Sequence, residues 1–255
     1  MPLPAGIRNG AADMENDLQK TIPDITNVPD IQTYFVNQAF EFQELMMRYS
    51  CAIREVRTKL EVLNDELNIH HKRNPIEFIT SRIKRPISIV EKLKRYGVPI
   101  SVESVEQNLN DVAGVRVICP FIDDIYAVAD MLLRQDDITL LKKKDYIQNP
   151  KENGYRSLHL IVEIPVFFSN QKRPMRVEVQ IRTIAMDFWA SVDHQLKYKQ
   201  DVENPEQISR ELKECADIIA QTDARMLAIK EKIYSGSPHT ETPAEKLKKL
   251  SVPLG

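Results

Sequence analysis

The sequence predicts an α/β (α+β) protein: a mixed sheet of about five strands, flanked by helices and set between a long N-terminal and a long C-terminal helix. Three observations carry this. Apolar residues repeat at helical spacing through residues 31–74 and again through 201–236. Between them, residues 75–200 alternate short period-two runs with short helical runs. At 255 residues, 42% hydrophobic and 28% charged, the chain is long enough to bury a core.

Residues 1–30, rich in Pro, Asn, Asp and Gly, are expected to form a mobile tail. Beyond Ile31, Phe35, Phe42, Tyr49, Val56 and Leu63 recur every seven residues, and Ala39, Met46, Ile53, Leu60 and Leu67 form a second series four residues on. That 4-3 stripe predicts one long amphipathic helix, with Asp30 as its N-cap. Ile76–Lys84 reads as a strand, and Pro86 opens a helix that stops near Gly97. Ala113–Cys119 reads as a strand ended by Pro120, Asp123–Arg134 as a helix, and Ile138–Ile147 as holding a short strand. Residues 148–156 read as loop, Leu158–Val166 and Met175–Arg182 as alternating strands, and Ile184–Lys197 as a helix. In the last segment Ile208, Leu212, Cys215, Ile219, Thr222, Met226, Ile229 and Ile233 form a second 4-3 stripe. Asn204-Pro205-Glu206-Gln207 starts that helix, Gly236 stops it, and residues 237–255 form a second tail.

Composition excludes several classes. A net charge of −2 is not that of a broadly basic nucleic-acid coat. Cys51, Cys119 and Cys215 fit neither a disulfide framework nor a metal knuckle and read as reduced thiols of a cytoplasmic protein. No window approaches the ~18 apolar residues of a membrane helix, and residues 1–20 lack the apolar run of a signal peptide. No Gly-x-x-x-x-Gly-Lys-Ser/Thr loop and no Gly-x-Gly-x-x-Gly occurs among seven glycines, which disfavours P-loop, dinucleotide-binding and kinase readings. No His-Asp dipeptide occurs, which argues against a His-Asp phosphohydrolase module.

Four segments carry candidate chemistry. In Val177-Glu178-Val179-Gln180-Ile181-Arg182 the polar residues share one strand face; either that face meets water or it lines a site. Asp111 stands just before the strand that holds Gly114. It is either a turn residue or, with Glu178, half of a carboxylate pair able to hold Mg²⁺. Arg82 to Arg95 carries six basic residues against one acidic, so it is either a solvated face or a polyphosphate cradle at a helix start. In Lys151-Glu-Asn-Gly154-Tyr155-Arg156-Ser157-Leu158-His159, Tyr155 either covers a sheet edge or stacks on a base. His70, His71 and His239 lack metal spacing, and His194 reads as a structural hydrogen-bonder.

Together these segments resemble the small alarmone synthetases, the single-domain relatives of the RelA/SpoT (p)ppGpp synthetases. The matching stretches are Arg82-Ile-Lys84-Arg-Pro-Ile-Ser88-Ile-Val-Glu-Lys92, Asn110-Asp111-Val-Ala-Gly114-Val-Arg116, Gly154-Tyr155-Arg156-Ser157-Leu-His159 and Glu178-Val-Gln180-Ile-Arg182-Thr183, in the family's order. The flanking helices are similar to those of the RelP/YwaC-like branch. The resemblance implies a nucleotidyltransferase-like fold whose catalytic core is residues 75–200. It implies transfer of pyrophosphate from ATP to the 3′-hydroxyl of GDP or GTP, with no hydrolase activity. Residue by residue it implies that Asp111 and Glu178 bind Mg²⁺, and it leaves open whether Glu178 also takes the 3′-hydroxyl proton. Arg82 and Arg116 would sandwich adenine, and Lys84, Ser88 and Lys92 would hold the ATP phosphates. Tyr155 would stack on guanine; Lys151, His159, Gln180 and, more weakly, Lys144 would contact the guanosine nucleotide. Asp187 replaces the Asn or His of some relatives and is a candidate acceptor for guanine N–H groups. A homotetramer is implied; the two stripes themselves either pack against the sheet or, being long, leave surplus apolar surface for an oligomer. Nucleic acid is not required, although RNA binding stays open. Two other readings remain at this stage: a non-catalytic nucleotide- or RNA-binding module, and a nucleotidyltransferase that releases pyrophosphate rather than AMP.

Overall fold

Residues 31–70 contain neither Gly nor Pro, and they form one uninterrupted helix, α1 (Ile31–His70). The computed structural model describes residues 31–70, 73–197 and 204–235. Asp30, the side chains of Phe35 and His70, His71, Gly236, His239 and both predicted tails lie outside the described residues. Glu44–Arg48 and Arg57–Glu61 pair one turn apart along α1. Its stripe is buried from Leu45 onward through Tyr49, Ala52, Ile53, Val56, Leu60 and Leu67. That face crosses strands of the sheet, so for most of its length the stripe is core.

The sheet has five strands: β1 (Phe78–Ile83), β2 (Ala113–Cys119), β3 (Thr139–Asp145), β4 (Leu158–Phe167) and β5 (Lys172–Thr183). Their order is β1-β2-β5-β4-β3; β2 and β5 are parallel and every other pair is antiparallel. Val177, Val179 and Ile181 on β5 are fully buried against α1 and α4 (Ile122–Leu133), leaving Glu178, Gln180 and Arg182 on the opposite face.

Between β1 and β2 lie α2 (Pro86–Tyr96) and α3 (Val102–Asn108). Pro86 takes the first turn of α2, and Gly97, at φ 67°, closes it as Gly97 and Val98 donate to Lys94 and Leu93 carbonyls. The sequence pattern did not predict α3. It has only seven residues, and its start is marked by Ser101 Oγ accepting the Ser104 N–H at 3.1 Å.

After β5 come α5 (Ile184–Lys197) and α6 (Pro205–Ser235). Thr183 Oγ1 accepts the Met186 N–H at 3.0 Å, capping α5, and donates to Asp223 of α6 at 2.7 Å. Trp189 Nε1 donates to the Leu212 carbonyl at 2.9 Å. The inward face of α6 therefore runs through Leu212, Ala216 and Asp223, while Cys215, Thr222, Met226, Ile229 and Ile233 of the expected stripe face out. Burial raises the Asp223 carboxyl above the usual range, against the opposing effects of Thr183 and Arg156.

Helix α6 also touches the loop before β4. Gly154 has φ 85°, and a Cβ there would lie 2.5 Å from the Ala216 Cβ. Gly154→Ala is therefore expected to cost about 1–3 kcal/mol, read as a lower thermal midpoint. Adding Ala216→Gly to that variant removes the clashing methyl and is expected to restore part of the loss.

Candidate active site

The register of the sheet assembles the site. Parallel pairing sets Gly114 beside Glu178 and Arg116 beside Gln180; antiparallel pairing adds Arg82 beside Gly114 and His159 beside Gln180. Directly paired residues share a face, so these side chains converge from four strands. They open on a cleft of about 730 Å³ that is also lined by Asp111, Lys151, Tyr155 and Arg182. That volume suits a nucleotide-sized ligand. Gly114 forms part of the floor, where a side chain would stand against Arg82.

Asp111, in the turn before β2, meets two lysines. Lys84 Nζ donates to its Oδ2 at 3.0 Å, and Lys92 Nζ lies 2.8 Å from its Oδ1. Each carboxylate oxygen offers two acceptor sites, so the two lysines leave acceptor capacity on Asp111. Burial pushes the Asp111 carboxyl up, but Lys92 and Lys84 together outweigh burial and hold it below the usual range. Ser88 lies half-buried in the first turn of α2, between these two lysines in sequence.

Glu178 belongs to a closed ring of hydrogen bonds. Arg182 Nη2 donates to the Tyr155 hydroxyl at 2.5 Å, and that hydroxyl meets His159 Nε2 at 2.8 Å. His159 Nδ1 meets Glu178 Oε1 at 3.2 Å. Gln180 Nε2 donates to Glu178 Oε2 at 2.8 Å, and its Oε1 accepts from Arg182 Nη2 at 3.0 Å. A carboxylate only accepts, so this network assigns the hydrogen to Nδ1 of His159 and leaves Nε2 to accept from Tyr155. Burial raises the Glu178 carboxyl, His159 and Gln180 lower it more, and the nearby Asp111 charge opposes them; the net position is below the usual range. Asp111 and Glu178 line the same recess.

Asp187, in the first turn of α5, accepts from Arg182 Nη1 at 3.0 Å and pairs with Arg116 Nη1 at 3.1 Å, both through Oδ1. Lys151 Nζ lies 4.7 Å from the Tyr155 ring and 4.9 Å from that of Tyr146. Lys144 is on the outer strand β3, opposite His159 and apart from the cleft lining. Two participants had no role in the sequence reading. Arg182 belongs to the β5 motif, but its partners beyond that strand come from the loop before β4 and from α5. Tyr146 packs edge-on against His159, with ring centroids 5.2 Å apart, and only the β3–β4 pairing reveals it.

The native pKa of Asp111 lies below its unfolded value. Its ion pairs therefore contribute fully above the unfolded carboxylate pKa of about 3.9, and that contribution is lost as pH falls through the native value. In urea titrations Asp111→Asn is expected to be less stable than the parent at pH 7, with the gap closing below about pH 4.

Comparison with known proteins agrees with this geometry. Residues 81–203 match the family model described as a region found in RelA / SpoT proteins. The GTP pyrophosphokinase YwaC of Bacillus subtilis is 43% identical over 209 residues, covering 82% of this chain and 98% of the relative. The crystal structure of small alarmone synthetase 2 from Bacillus subtilis superposes with a TM-score of 0.68 at 45% identity, covering 75% of this chain and 99% of that one. Small alarmone synthetase 1 from the same organism, bound to its product pppGpp, gives 0.70 at 35% identity over 75% and 97% of the two chains. With a curated relative matched over nearly its whole length and the same fold in both crystal structures, the chain belongs to the RelA/SpoT family, among the small alarmone synthetases.

Proposed function

We infer that this chain is a GTP pyrophosphokinase that moves the β,γ-pyrophosphate of ATP to the 3′-hydroxyl of GDP or GTP, forming ppGpp or pppGpp and AMP. One observation carries the reading: Asp111 and Glu178, both held in the charged form, face one cleft between a cationic flank and a base-binding flank. In the reaction the 3′-oxygen bonds to the β-phosphorus, the bond from that phosphorus to the α–β bridging oxygen breaks, and AMP leaves with the electron pair.

Arg82 and Arg116 suit an adenine sandwich, because planar guanidinium groups stack on a base as lysine cannot. Lys84, Lys92 and Ser88 suit the triphosphate, the two lysines exchanging Asp111 for phosphate oxygens. On the other flank Tyr155 suits the guanine ring, with Lys151, His159, Gln180 and, at the margin, Lys144 around the acceptor nucleotide, while the Asp187 carboxylate, a candidate for guanine by sequence, is taken up by Arg116 and Arg182. Asp111 and Glu178 fit Mg²⁺. That ion takes one or two carboxylates and completes its shell with water and substrate phosphate, and Asp111 keeps acceptor sites beyond those its two lysines occupy. No cluster of three metal-ligating side chains exists among the described residues, as a Mg²⁺ shared with a triphosphate requires none. When bound, the ion would offset phosphate charge and orient the transferred group. Glu178 receives the 3′-hydroxyl hydrogen as a hydrogen-bond acceptor; its lowered pKa makes it a weak base, adequate where the transition state is loose and positioning supplies most of the acceleration.

No helix of the described residues is long and apolar enough to cross a membrane, and Cys51, Cys119 and Cys215 are free thiols, which supports a cytoplasmic enzyme. Val36 and Phe40 on α1, and Ile229 and Ile233 on α6, are exposed apolar side chains, which supports a homotetramer.

The test is to incubate the protein with ATP, GDP and Mg²⁺ and resolve the products by chromatography. AMP and ppGpp are expected; released pyrophosphate, or binding without turnover, would overturn the assignment. Glu178→Gln and Asp111→Asn are each expected to lower kcat by about 10²-fold or more with the fold intact by circular dichroism. EDTA is expected to stop turnover and added Mg²⁺ to restore it. Light scattering is expected to return four times the chain mass.

A further inference from the structure

Three guanidinium groups crowd the cleft. Burial first, and then the charges of Arg182 and Arg82, push the Arg116 pKa down, and Asp187 opposes them. The three are not held alike. Arg182 is 5% exposed and spends its donors on Tyr155, Gln180, Asp187 and Ser157, so it is held more firmly than its two neighbours. Arg116 is about one-third exposed, and its buried Nε has no hydrogen-bond partner among the described residues. What anchors its head is the Asp187 Oδ1 that Arg182 also grips.

We propose that Asp187 is a positioning residue that orients Arg116 toward the adenine of ATP and, through Arg182 and Tyr155, links ATP affinity to occupancy of the acceptor site. This deepens the functional reading above and rests on it. The chain of contacts is continuous: Tyr155 hydroxyl to Arg182 Nη2, Arg182 Nη1 to Asp187 Oδ1, and the same oxygen to Arg116 Nη1. A base stacked on Tyr155 immobilises the first member. Arg182 and Asp187 are then held more tightly, and Arg116 is presented to adenine with less orientational freedom to lose. Linkage makes the effect reciprocal: each nucleotide tightens the other by the same factor.

The experiment is calorimetric titration of the full chain with the α,β-methylene analogue of ATP, whose bridging carbon blocks transfer, in Mg²⁺ with and without GDP. In the parent protein GDP is expected to tighten the analogue about fivefold or more. Asp187→Asn keeps the side-chain shape and one oxygen but drops the charge. It is expected to weaken the analogue about fivefold and to abolish the GDP effect. In an Arg116→Gln background the same substitution is expected to add nothing, because its route to adenine has gone. Asp187→Ser serves as the second variant if the asparagine protein melts early. Three results would overturn the proposal: unchanged analogue affinity in Asp187→Asn, a full Asp187 penalty without Arg116, or a loss confined to GDP affinity, which would make Asp187 a direct reader of guanine. Failure of the parent protein to form AMP from ATP and GDP would instead remove the enzymatic reading, and the binding cycle would still report whether Asp187 acts through Arg116.

Discussion

Gly114 stands beside Glu178, and Arg116 beside Gln180, because β2 and β5 run parallel at the centre of the sheet. Parallel neighbours require a crossover, and here the chain between them contains α4, β3 and β4 before β5 returns to β2. That crossover lets an aspartate at position 111 and a glutamate at position 178 share one cleft. A slip of one residue in β5 would send Glu178, Gln180 and Arg182 into the core and Val179 into the cleft. The apolar face of Val177, Val179 and Ile181, fully buried, guards against that slip. Core packing and site geometry are thus set by the same register.

Charge follows from that convergence. Two carboxylates are each shared between two cations: Lys84 and Lys92 sit on Asp111, and Arg116 and Arg182 on Asp187. Lys84, Lys92 and Arg116, three of the four cations proposed to meet phosphate or adenine, are thus each held in place by a carboxylate, whereas Arg82 has no ion pair among the described residues. Two polyanions can then enter without meeting either a dense unpaired positive surface or an exposed negative one. Desolvating paired charges costs less than desolvating free ones, so the arrangement also limits the penalty of building a charged site on a buried sheet.

Period-two alternation located β2 to the residue and β4 and β5 to within a few residues, because an apolar face of β-branched side chains imprints directly on the sequence. The candidate residues were legible one segment at a time, since each motif pairs a charged or aromatic group with its own strand or turn. Their mutual contacts were not. Arg182 looked like one more polar residue of an alternating strand; its function as a hub depends on Tyr155, Ser157 and Asp187, which only the folded chain brings to it. Helix α3 escaped for a different reason: seven residues are too few for a helical period to emerge, and its one firm signal is the Ser101 cap.

Helix α6 shows where an apolar pattern misdirects. The most periodic residues of its sequence, Met226, Ile229 and Ile233, are exposed, whereas the face that meets the core is built from Leu212, Ala216 and Asp223. Two of those three are small or charged and contribute nothing to a hydrophobic stripe. Each is there for a specific partner: Ala216 lets the Gly154 backbone approach, and Asp223 accepts from Thr183 at the start of α5. The exposed stripe is then surplus to the core of the single chain. One helix thus carries two kinds of information: a sparse polar code that fixes the Tyr155 loop against the body of the protein, and a regular apolar code directed outward.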